Sequence, residues 1–190
     1  MLTLNPKSVA LVIIDLQKGI LGRPMAPHPV DAVVAKSALL AAALAKAGGV
    51  IVRVHVDFSA DDRDRLLQEV DQPTLGGPRP PDWAEFTPEI AALESAITIV
   101  KRQWGAFHGT ELDLQLRRRR IDTIVLTGVA TNFGVEQTAR EAWQLGYCVL
   151  IAEDAVSGVT EAAHRFAVET ILPRLARVRS SEAILEALRG

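Results

Sequence analysis

Apolar residues in this chain gather in short unbroken runs, separated by longer stretches in which they recur every three or four positions. The runs are "SVALVIID" (8–15), "VIVRVHV" (50–56), "ITIVK" (97–101), "DTIVLTG" (122–128) and "YCVLIAED" (147–154). They are mostly apolar on both faces instead of alternating, as parallel strands covered by helices on both sides must be. Helical patterns lie between them: an alanine-rich stretch at 31–47 stopped by Gly48 and Gly49, one at 110–119 with leucines at 112, 114 and 116, and one at 135–145 closed by Gly146. Residues 160–172 and 181–188 continue the alternation, with a short "ARVRS" strand between them. The pattern predicts an α/β fold, a three-layer αβα arrangement around a six-stranded doubly wound sheet. One segment, 57–94, is irregular and carries Pro73, Pro78, Pro80, Pro81 and Pro88. Loops of that length in a compact domain are usually lids or interfaces.

Composition narrows the picture. At 190 residues and 48% hydrophobic, the chain is expected to be a single domain over 1–190 with a core large enough to stand alone. A net charge of −2 supplies no field for nucleic acid or an anionic membrane, so the expected partner is a small molecule or a protein. The basic run Arg117 to Arg120 closes a helix, where cations suit the negative end of the dipole, and reads as a solvated face. The apolar run Val9 to Ile14 is short and ends in Asp15, so neither a signal peptide nor a membrane span is expected and the expected location is cytoplasmic. The single cysteine, Cys148, excludes an intrachain disulfide and a cysteine-based metal cluster.

In an open parallel sheet, ligands bind beyond the carboxyl ends of the strands, where helix N-termini also point. The polar residues there are Asp15 and Gln17 after the first strand, His55 and Asp57 after the second, Lys101 after the third, and Thr131, Asn132 and Gly134 after the fourth. Asp15 and Lys101 both follow apolar residues and form a complementary pair, either a structural ion pair or a catalytic one. Trp104 and Phe107, in "KRQWGAFHGT", wall a pocket or pack against the next helix. His55, beside Arg53 on the second strand, reads as a satisfied structural residue, and Cys148, near the beginning of its strand, as a small buried hydrophobe. His28, His55, His108 and His164 are scattered without a ligand spacing, so no metal and no cofactor are expected.

The set "VIIDLQ", "KRQWGAFHGTEL", "TGVATNFGVEQTAREAWQLGY" and "AEDAVSG" resembles the isochorismatase-like hydrolase family, also called cysteine hydrolases, from about Ser8 to the final helix. The resemblance implies the strand order 3-2-1-4-5-6, a site of aspartate, lysine and cysteine, and a cis peptide ahead of the cysteine position, at Val129–Ala130. Asp15 matches the family acid, Lys101 the lysine and Gly134 the cysteine, with Gln17, Trp104, Phe107, Ala130, Thr131, Asn132 and Phe133 as candidate substrate contacts. Glycine at 134 is a departure: family amidases such as nicotinamidases attack a carbonyl with that thiol. Their histidine-bearing metal motif after strand two is also missing, since this chain reads "VHVDFSADD".

Family members acting on isochorismate can carry glycine there. They hydrolyse a vinyl ether with an acid and water and need no nucleophile. The resemblance thus implies a nucleophile-free hydrolase of a small carboxylated substrate. Arg53, Arg79 and Arg102 are the cations available to a second carboxylate, and the amides of 132–135 the donors available to an anionic oxygen. The alternatives are a homologue that only binds, and an amidase acting through Cys148. Family members commonly assemble, so a homo-oligomer, a dimer or larger, is expected.

Overall fold

Six strands, β1 (Val9–Ile14), β2 (Val50–Val56), β3 (Ile97–Lys101), β4 (Thr123–Val129), β5 (Cys148–Ser157) and β6 (Arg177–Arg179), pair in parallel in the order β3-β2-β1-β4-β5-β6. The helices are α1 (Lys18–Leu21), α2 (Val30–Lys46), α3 (Pro88–Ala91), α4 (Leu112–Arg118), α5 (Glu136–Gln144), α6 (Glu161–Phe166) and α7 (Ser181–Arg189). The computed structural model describes residues 2–72 and 79–189, so Pro73 and Pro78 of the expected long loop lie outside the described residues.

The unbroken apolar runs are explained by burial on both faces. Val9, Leu11 and Ile13 of β1 turn to one side, onto Val33, Leu40 and Leu44 of α2 and Ile184 and Ala187 of α7. Ala10, Val12 and Ile14 turn to the other, in one cluster with Leu112 and Leu116 of α4 and Ala139 and Ala142 of α5. Each such aliphatic side chain contributes about 1.5–3 kcal/mol when fully buried, so a charge on either face of β1 would not be tolerated. The chain runs outward from β1 to β3, then returns to β4 on the other side of β1. The crevice expected of this fold therefore opens beyond the ends of β1 and β4.

Three departures from the sequence expectation bear on function. The expected helix 160–172 is α6 followed by a π-helical turn (Ala167–Ile171) and a 3-10 turn (Leu172–Arg174). Pro173 has no amide hydrogen to continue the helical ladder. Second, β5 runs on to Ser157 and is bulged: Leu126 pairs with Ile151 and Gly128 with Val156, so two steps along β4 span five along β5. Glu153 and Asp154 lie in that bulge, free of strict strand alternation.

Third, much of the segment after residue 79 is tied down instead of hanging as a lid. The amides of Lys18, Gly19 and Thr87 donate to the carbonyls of Glu85, Trp83 and Leu16 at 2.8, 2.9 and 3.0 Å, clamping the chain ahead of α3 onto the loop that leaves β1. Among the described residues no helix is long and apolar enough to cross a membrane.

Candidate active site

Asp15 directly follows β1 and turns the chain with a left-handed backbone, φ 53°. Its amide donates to the carbonyl of Val54 at 2.9 Å, which holds a conformation that costs a non-glycine residue roughly 1–2 kcal/mol. Lys101 ends β3, two strands away from β1. Strands lie about 4.8 Å apart, so only a long side chain spans that gap over β2. Lys101 does, with its side chain 1% exposed and Nζ 2.8 Å from Asp15 Oδ2, and it also donates to the Trp104 carbonyl at 2.6 Å.

Asp15 Oδ1 is buried without a hydrogen-bond partner among the described residues. Burial pushes the Asp15 carboxyl above the ordinary carboxylate value, against the opposing pull of the Lys101 ammonium and, more weakly, of His55. With Oδ2 accepting from the ammonium, a proton on this acid belongs on Oδ1.

Gly134 closes the constellation. A Cβ at that position would stand 3.0 Å from Ile14 Cγ2, 3.1 Å from Asp15 Oδ2 and 3.2 Å from Lys101 Nζ. The backbone of residue 134 is therefore pressed against the ion pair, in a π-helical turn (Thr131–Val135) that leads into α5. Such turns are frequent at functional sites. The Val129–Ala130 peptide just before it is cis. Thr138 of α5 anchors the turn, donating from Oγ1 to the Gly134 carbonyl at 2.6 Å and accepting from the Ala106 amide at 3.2 Å. Glu141 adds a 3.0 Å bond to the amide of Phe107. Thr138 and Glu141 thus couple the loop after Lys101 to the turn bearing Gly134. Their hydrophilic spacing on an amphipathic helix carried no signal of this.

The remaining expected site residues divide. Phe133 faces Trp104, with ring centroids 4.7 Å apart, and Trp104 is 60% exposed, so these two form an aromatic wall beside the carbonyl that Lys101 holds. Phe107 belongs to the core instead, packed against Tyr147, because its position follows the turn back under α5. Gln17 is fully buried and spent on structure: Nε2 donates to the carbonyls of Val56 and Trp83, and Oε1 accepts from the Val56 amide. It positions the loop after β1 and has no hydrogen left for a substrate. Ala130 packs in the α2-side cluster. Thr131 is buried and bonded to His164, at 2.9 Å, and Asn132 accepts from the Val159 amide at 3.4 Å. The amides of Phe133 and Val135 already donate to the Ala130 carbonyl, which narrows the expected anion donors to those of Asn132 and Gly134.

The expected cations are also engaged. Arg53 donates to Thr98 and to the carbonyls of Ile90 and Ala91 and lies over Phe86; Arg79 pairs with Asp62, and Arg102 with Asp64. His55 Nδ1 donates to the Ala84 carbonyl, 2.8 Å away, a structural role. A cleft lined by Asp57, Phe58, Arg79 and Trp83 lies beside the clamp and is not lined by Asp15 or Lys101.

Two further expectations are corrected. Cys148 is exposed, not buried, because it is the first residue of β5 and faces outward at the sheet's amino edge. It pairs with Thr123 at the start of β4, roughly 20 Å along the strand from the crevice beyond Val129 at about 3.3 Å per residue. Cys148→Ala is therefore expected to leave any hydrolytic rate within about twofold, and alkylation of the thiol to be equally silent in the same assay. The histidines are not all scattered: His28 and His164 converge on Glu153.

A family model for the isochorismatase domain matches residues 9–183. The chain is 50% identical over 188 residues to an uncharacterized isochorismatase family protein, YecD, of Escherichia coli O157:H7, covering 99% of this chain and 100% of that one. A solved isochorismatase family protein from Burkholderia thailandensis superposes with a TM-score of 0.94 at 43% identity, covering both chains completely. More distantly, N-carbamoylsarcosine amidase of an Arthrobacter species is 26% identical over 132 residues, 70% of this chain and 50% of that protein. With the family model matching over 9–183 and a relative 50% identical over the full length of both chains, the chain belongs to the isochorismatase family of hydrolases.

Proposed function

We propose that this protein hydrolyses a small carboxylated metabolite without a covalent intermediate, with Asp15 as general acid and Lys101 as its electrostatic partner. The observation that carries this reading is the convergence at residue 134. The acid and the lysine meet there, within 3.1 and 3.2 Å of where a side chain would begin, and glycine brings no nucleophile. The free Oδ1 of Asp15, on a carboxyl whose proton affinity burial raises, supports the role of proton donor.

A vinyl ether of the isochorismate type suits these groups. Asp15 gives its proton to the methylene carbon, and the carbon–carbon double bond supplies the electron pair for the new C–H bond. The resulting oxocarbenium ion takes up water, which loses a proton back to Asp15. Collapse of the hemiketal breaks the carbon–oxygen bond and releases pyruvate and an alcohol. Lys101 holds the substrate carboxylate or keeps Asp15 oriented, and the Trp104 and Phe133 rings flank the entrance. An amidase reading, prompted by the N-carbamoylsarcosine amidase relative, lacks a thiol near the pair.

The test is a panel of enol ethers, isochorismate among them, assayed for released ketoacid with wild type and Gly134→Ala. The added methyl would meet side-chain ends that can shift by tenths of an ångström, so the fold is expected to lose less than about 1 kcal/mol. Because it fills space beside Asp15, KM is expected to rise about tenfold, ~1.4 kcal/mol of lost binding. An unchanged kcat/KM would remove the substrate from that space. Absence of turnover across the panel, with a tightly held small ligand seen by native mass spectrometry, would favour a protein that only binds.

A further inference from the structure

Next to the turn that carries Gly134, and joined to it through Thr131, two histidines share one carboxylate oxygen. His28 Nε2 lies 3.1 Å and His164 Nε2 3.3 Å from Glu153 Oε1, and the three atoms all fall within 4.8 Å of one another. We propose that His28, Glu153 and His164 form a binding site for a divalent cation of the zinc class.

The spacing suits an ion held between the three groups. Charge-assisted bonds from nitrogen to a carboxylate usually measure about 2.7–2.9 Å, shorter than either contact here. Ligand atoms about 2.0–2.1 Å from a tetrahedral ion stand roughly 3.3 Å from one another, close to both observed distances. Two imidazoles and a carboxylate are also the donor set that zinc and its neighbours prefer over magnesium or calcium.

Each ligand is held by an independent piece of the fold. Glu153 lies in the β5 bulge, which frees its side chain from strand alternation. His28 follows a stretch fastened by reciprocal bonds between Ala26 and Gly158, at 3.0 and 2.9 Å, and is bracketed by Pro27 and Pro29. His164 is buried on α6, and its Nδ1 meets Thr131 Oγ1 at 2.9 Å. That bond is the outer contact a ligating histidine requires: with Nδ1 donating to Thr131, the Nε2 lone pair faces the ion. The His28 and Glu153 side chains are 28% and 38% exposed, so an ion has a route in and water can complete its coordination. Thr131 belongs to the turn bearing Gly134, so through His164 the ion would brace that turn.

The experiment is a titration of the chelator-stripped full-length protein with Zn²⁺ against a chromophoric competitor, repeated with Co²⁺ for its visible ligand-field bands. One tight equivalent of Zn²⁺ is expected, with tetrahedral cobalt bands and a raised thermal midpoint. His28→Ala and Glu153→Gln, both at partly exposed positions, are each expected to weaken binding by at least about tenfold and to abolish the thermal shift. Circular dichroism of both variants verifies that they fold. Failure of the wild type to take up one equivalent, or uptake that neither substitution weakens, would overturn the proposal.

Discussion

Asp15→Asn is expected to lower kcat by about 10²–10⁴-fold while the protein stays folded, the range that loss of a positioned general acid covers. The amide is isosteric, and its oxygen can still accept from Lys101, so the buried lysine keeps a partner beside the Trp104 carbonyl. What disappears is the transferable proton on Oδ1. The pH profile carries the same signature. Because burial raises the Asp15 pKa, the protonated acid persists above the usual carboxylate range, and the rate is expected to fall as pH rises through that raised value. Stability is linked with the same sign. The folded state binds this proton more tightly than the unfolded chain, so the contribution is fully present below about pH 4 and is lost as pH rises through the folded value. Steady-state kinetics and thermal melts of both proteins across pH measure the two effects together. A variant with wild-type kcat and an unchanged profile would end the role of Asp15 as acid.

Gly128→Ala is expected to cost about 4 kcal/mol of folding stability, a loss large enough to deplete soluble protein at physiological temperature. Gly128 pairs with Ile14 across the β1–β4 contact and has φ 105°, outside the range other residues adopt without strain. A Cβ there would lie 2.0 Å from the Ile14 carbonyl oxygen and 2.7 Å from its amide nitrogen. These are backbone atoms of a central strand and cannot swing aside as a side-chain end can at Gly134. The two strands would have to part where the crevice opens, which also displaces Asp15. Urea denaturation of the two proteins reads the difference, and a loss under about 1 kcal/mol would mean that the close approach of β1 and β4 is not required.

Most of the architecture was legible because its causes are local. Two-sided burial writes itself into strands as unbroken apolar runs, and every expected strand appears in the sheet. The Asp15 and Lys101 pair was legible for the same reason, since a charge at the end of such a run stands out. What escaped depends on geometry between distant segments. The β5 bulge leaves the sequence "IAEDAVS" looking like an ordinary strand, so nothing hinted that Glu153 would meet His28 and His164. Gln17, Arg53 and Arg102 have the chemistry of ligand contacts, but carbonyls, amides and carboxylates from other loops consume it. Cys148 was misread because its neighbours are apolar, while its place at the first position of β5 turns it outward.

Hydrolysis of isochorismate in ¹⁸O-labelled water tests the nucleophile-free acid mechanism most directly. Protonation at the methylene carbon followed by water addition predicts release of pyruvate with both hydroxyl oxygens of the ring product unlabelled, because the ether oxygen stays with the ring. A labelled ring hydroxyl, or no release of pyruvate by the wild-type protein, would contradict it.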